Sequence, residues 1–83
     1  MSSYTYKARD MAVIQSNIRE IVGSRVRLVT NLGKQKPITN FGVVLGVYPN
    51  IFTVQLFDGA LPSRKISYSY ADVLTNAVDI TLC

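Results

Sequence analysis

The spacing of apolar residues changes once along this chain, at Gly23, and the change limits what each side can form. Upstream, Met11, Ile14, Ile18 and Ile21 recur at helical intervals, which lays them on one face of a helix. Downstream the period is two. In SRVRLVTN, Val26 and Leu28 fall on one face and Arg25 and Arg27 on the other, the alternation of a strand with one wet side. The spacing predicts a helix over 10–22. Asp10 is its expected N-cap, because a carboxylate there accepts from an orphan N–H of the first turn. Gly23 is expected to stop it, since glycine enters the left-handed region without a Cβ clash.

Four more strands follow from the turn signals. The second spans about Ile38 to Tyr48 and contains Gly42 and Gly46, positions where a short sheet bends toward closure. Pro49-Asn50 is expected to be a type II turn, with Asn50 taking positive φ. IFTVQLF is the third strand, with Phe52, Val54 and Leu56 inward; Asp58-Gly59 opens the next loop and Pro62 closes it. RKISYSY is the fourth strand, ADVL a short turn, and AVDITL the fifth. The fold class expected is mainly β. It is a small five-stranded SH3-like (Sm-like) barrel with an N-terminal α-helix and a one-turn helix before the last strand. The pattern does not separate SH3-like from Sm-like. A chain of 83 residues fits one domain, expected over 10–83 after a flexible N-terminal segment, 1–9.

The stretch RKISYSYADVLT admits two readings. Ile66, Tyr68 and Tyr70 share one strand face, and Ser69 and Asp72 form the S-x-x-D spacing of a reciprocal capping box. On that reading the segment is a scaffold corner of core strand, capped turn and final strand. On the other, Tyr68 and Tyr70 join Tyr48 in an aromatic patch on which bases stack.

Charge points the same two ways. Nine Lys+Arg against five Asp+Glu give a net charge of +4. No acidic residue lies between Ile21 and Phe57, whereas Arg25, Arg27, Lys34 and Lys36 all do. These four are candidate contacts to nucleic acid or to an acidic partner.

Catalytic residues, a metal site and a cofactor are not expected. The chain has no histidine, its one cysteine is Cys83, and its carboxylates are scattered. NLGK lacks the glycine spacing and the Lys-Ser/Thr end of a phosphate loop. The apolar run FGVVLGVYP is far short of the roughly 20 residues of a membrane span. MSSYTYKARD has no apolar core of a signal peptide. A cytoplasmic location and no membrane partner are therefore expected. VVLGV is apolar on both faces, where a half-exposed strand alternates. Either the helix or another chain covers the second face, and a homo-oligomer is expected.

Three segments carry a family resemblance. They are the basic strand followed by NLGK, the run containing Gly42, Val43, Tyr48, Pro49 and Phe52, and SYSYADVLT from Ser67 to Thr75. Together they resemble the Veg proteins of Gram-positive bacteria, over about Ile14 to Leu82. Gln35, Pro37, Gly46 and Val47 depart from that pattern, in which the loop is more basic and the second strand more polar. The resemblance implies an SH3-like barrel with an N-terminal helix. It also implies a non-enzymatic regulatory role in biofilm formation and transcription, through a regulatory protein partner or nucleic acid.

Overall fold

The computed structural model describes residues 11–31, 33 and 36–83. The expected segment 1–9, the Asp10 cap and Lys34 lie outside the described residues. Helix α1 spans Met11–Arg19 and turns Ile14 and Ile18 into the core. Ile21, in the turn that follows, is buried with them. Met11, expected on that face, is 48% exposed; the inward stripe begins at Ile14. The helix stops before Val22 because the chain tightens after Arg19. Ile21, Val22 and Ser24 each donate a backbone bond to the carbonyl three residues back, at 3.0, 3.4 and 3.0 Å. Gly23 takes φ +89°, as expected of the stop. Its N–H donates to the Val44 carbonyl at 2.8 Å, which stitches the helix end to the sheet.

Five antiparallel strands form one sheet: β1 Arg25–Thr30, β2 Ile38–Val47, β3 Ile51–Asp58, β4 Leu61–Ser69 and β5 Val78–Leu82. Their order is β4-β3-β2-β1-β5. The short helix α2, Tyr70–Leu74, links β4 to β5 and touches both. Every strand sends apolar residues to the same face. Val26, Leu28, Val44, Phe52, Val54, Leu56, Tyr68, Val78 and Ile80 make one buried cluster there with Ile14, Ile18, Tyr70 and Val73. Neither helix is long and apolar enough to cross a membrane.

Several expectations change in detail. Among the described residues no ladder joins β4 to β5, so the sheet is not closed into the expected SH3-like or Sm-like barrel by hydrogen bonds. Tyr70 is not the end of a strand; it opens α2. β4 begins at Leu61 and includes Pro62, which an edge strand tolerates because the missing N–H faces away from the ladder. Asn50 does not take positive φ, since Asn76 alone among described non-glycine residues does, so the Pro49-Asn50 turn is not type II. It closes through Tyr48 N–H to the Ile51 carbonyl at 2.8 Å. Ser69 caps α2, accepting from Asp72 N–H at 3.1 Å. The reciprocal bond to the Asp72 carboxylate is not made, because Ser69 is paired with Ile51 in the sheet.

Candidate functional site

The tyrosines of the fourth segment belong to the scaffold. Tyr68 and Tyr70 are 7% and 1% exposed. Each ring stacks on Phe52 with centroids 5.7 Å apart, at interplanar angles of 27° and 26°. Burial pushes both phenols up from their ordinary pKa. For Tyr68 this is opposed by Thr30 and Arg64, and for Tyr70 by Gln15 and Arg19. Of the three residues expected in an aromatic patch, only Tyr48 shows its ring to solvent. Tyr68 and Tyr70 are spent on the core, and the three form no common stacking surface.

A different aromatic surface lies on the outer side of the sheet. Pairing registers align Arg27 on β1 with Phe41 on β2, Phe41 with Phe57 on β3, and Phe57 with Pro62 on β4. One step along, Arg25, Val43, Gln55 and Lys65 form a parallel row. Residues opposite one another share a face, so two arginines, two phenylalanines and a lysine meet there. Phe41 is 53% exposed. The Arg25 guanidinium lies over the Phe57 ring, 5.4 Å from its centroid, within cation–π range. Between Phe41, Phe57, Arg25 and the backbone at Gly42 and Gly59 is a groove of about 360 Å³.

Sequence reading found Arg25 and Arg27 and missed Phe41, Phe57 and Lys65. Each arginine alternates with a core residue on its own strand, which is a local signal. Phe41 and Phe57 join them only through the pairing of three strands, which is not. Lys36 is exposed on the approach to β2, beyond the Thr30–Ile38 pair, and so lies away from the row.

A second exposed surface follows from a break in β2. The β2–β3 register shifts between Val44 and Gly46, leaving Leu45 unpaired. Val44 points inward, Leu45 is left 43% exposed, and Val47 packs again against the core. The apolar stretch VVLGV therefore straddles a bulge. Val22, exposed to the same degree, precedes the Gly23 that bonds Val44. The Tyr48 ring lies over Gly46, and its carbonyl accepts from the Gln15 side chain of α1 at 2.9 Å. Leu45, Val22 and Tyr48 are each exposed on segments that flank the contact between α1 and β2.

Among the described residues no three His, Cys, Asp or Glu side chains are grouped to hold a metal ion. What the two surfaces offer is contact: cations beside ring faces on one, apolar side chains on the other. No individually curated protein matches this chain. The family profile described as biofilm formation stimulator VEG matches residues 9–81, nearly the whole chain. The match spans α1, β1 to β4, α2 and all of β5 but Leu82, and this protein belongs to that biofilm formation stimulator family.

Proposed function

We infer that this chain is a non-enzymatic, cytoplasmic regulatory protein that acts in biofilm formation by binding a protein partner that controls transcription. The observation that carries the reading is the exposure of three large apolar side chains, Leu45, Val22 and Tyr48, on the segments that flank the seam between α1 and β2. Apolar side chains gathered at the surface of a small domain mark an interaction site. The seam is held from beneath by Gly23 on Val44 and by Gln15 on Tyr48, so it is presented without the cost of ordering a loop. Five antiparallel strands in one sheet, with a one-turn helix before the last, support an SH3-like or Sm-like scaffold for it.

A partner docked on this seam is lost when Leu45 becomes charged. Leu45→Glu at an exposed position is expected to change stability by no more than about 0.5 kcal/mol. Cells lacking the chain are complemented with wild type or with Leu45→Glu, and biofilm mass and matrix-gene transcripts are measured. Loss of both with the variant folded, by circular dichroism, supports the reading. Full activity of Leu45→Glu removes the seam as the docking surface. Sedimentation of the purified protein separates the second occupant, another copy of the same chain: a homo-oligomer that Leu45→Glu dissociates assigns the seam to self-association.

A further inference from the structure

We propose that the outer face of β1, β2 and β3 binds single-stranded nucleic acid, with Phe41 stacking on a base and Arg25, Arg27 and Lys65 contacting phosphates. The residues that make it up do not include Leu45, Val22 or Tyr48.

The register gives the face its pattern. Arg27, Phe41 and Phe57 run side by side across three strands, and Arg25 and Lys65 lie in the next row, on β1 and β4. Neighbouring strands are about 4.8 Å apart, so cations on β1 and β4 flank the two phenylalanines at a separation of roughly 14 Å. A single strand needs that arrangement: ring faces for unstacked bases and cations on either side for the backbone. Phe41 is free to stack, being 53% exposed, whereas Phe57 already carries the Arg25 guanidinium. The groove of about 360 Å³ between them gives a base a recess beside Phe41. In a duplex the ring faces of the bases are covered by their neighbours, and a sheet surface gives Phe41 no access to them.

Charge favours the same ligand. No acidic residue lies between Ile21 and Phe57, the span that supplies β1, β2 and nearly all of β3. Asp58, the last residue of β3, follows Phe57 directly and is the nearest carboxylate in the register; the next is Asp79 on β5, paired with Val29 beside the arginine strand. One of its oxygens accepts from the Asn31 amide at 3.4 Å. A partner with several negative charges and planar rings is therefore matched better than an acidic peptide, which brings charge without a ring at each step.

The test is fluorescence anisotropy of the full chain with labelled single-stranded DNA, single-stranded RNA, a hairpin duplex and an acidic peptide, at about 50 and 200 mM salt. Single strands are expected to bind, and binding is expected to weaken steeply with salt. Phe41→Ala is expected to weaken it about tenfold or more, with recovery in Phe41→Trp, because stacking accepts any large ring. Arg25→Ala with Arg27→Ala is expected to lower the salt slope by about 1.4, two contacts at roughly 0.7 each. The DNA and RNA arms identify the sugar. No binding of single strands at the lower salt overturns the proposal, as does equal or tighter binding of the duplex or the peptide. An unchanged affinity in folded Phe41→Ala overturns it too, since charge alone then explains the binding. Activity of these variants in the biofilm assay does not bear on the Leu45 seam, so the two readings fail independently.

Discussion

The hydroxyl of Tyr70, in the first turn of α2, reaches the carbonyl of Tyr48 at 2.8 Å across the hairpin between β2 and β3. The same hydroxyl is 2.9 Å from the Ile51 carbonyl on the other side of the turn. One O–H is shared between the two ends of the Pro49-Asn50 turn, while the ring below stacks on Phe52. Tyr70 thus fastens α2, the hairpin and the core at one point. Tyr70→Phe keeps the ring and removes the donor. Both carbonyls retain another partner, Gln15 for Tyr48 and the Tyr48 N–H for Ile51. The loss is then near the net worth of a neutral hydrogen bond, about 1 kcal/mol. Tyr70→Ala empties the core site as well and is expected to cost about 3–5 kcal/mol. Urea midpoints of the two variants check this; equal losses would mean the ring contributes nothing beyond its hydroxyl.

Alkaline unfolding is expected to report the same two buried phenols. Burial raises the pKa of Tyr68 and of Tyr70 above the ordinary 10.0. A phenol whose pKa is higher in the folded chain holds its proton more tightly there. Its contribution is intact below the unfolded value and is lost as pH rises through 10 toward the folded value. Stability measured by urea is therefore expected to fall as pH rises above about 10, and Tyr70→Phe to flatten that fall. A Tyr70→Phe curve parallel to wild type across this window would show that Tyr70 does not ionise on unfolding.

The helix cap gives a paired prediction. Ser69 accepts from the Asp72 N–H, and Asp72 returns no bond. Ser69→Ala is expected to cost about 1 kcal/mol, the usual worth of an N-cap side chain. Asp72→Ala is expected to cost only a few tenths, from the lost charge near the helix start. Thermal midpoints discriminate; equal losses would restore the reciprocal box that the spacing of Ser69 and Asp72 suggests.

What the sequence made legible here was what its local periods carry. The alternation of Arg25 and Arg27 with Val26 and Leu28 placed β1 and both of its faces correctly. The Ile14-Ile18-Ile21 stripe did the same for α1 and the turn after it. Tyr70 was misplaced because period two runs through Ile66, Tyr68 and Tyr70 without a break, while the backbone changes direction at the Ser69 cap. The bulge at Leu45 was indicated by the glycines but not located, so the faces of VVLGV stayed unassigned. The row of Arg27, Phe41 and Phe57 was not legible at all. It exists only once β1 pairs with β2 and β2 with β3, and no single stretch of chain contains it.

The two glycines of β2 do different work, and alanine distinguishes them. Gly42 faces inward opposite Leu56, where a Cβ would meet the Gln55 carbonyl oxygen at 2.5 Å and a Val54 methyl at 2.6 Å. The first obstacle is backbone and has no rotamer to adopt, so β2 and β3 would have to separate. Gly42→Ala is expected to cost about 3 kcal/mol, the upper end for overpacking, a large share of the 5–15 kcal/mol typical of a domain. At Gly46 the nearest atom is the Tyr48 hydroxyl oxygen, 3.1 Å away, on a half-exposed ring that can swing outward. Gly46→Ala is expected to cost under about 1 kcal/mol, and to displace the Tyr48 ring from the seam. Denaturation midpoints measure the first difference, and Tyr48 fluorescence or ring chemical shifts the second. If Gly42→Ala were as mild as Gly46→Ala, the close approach of β2 to β3 would not be what bends the sheet around its core.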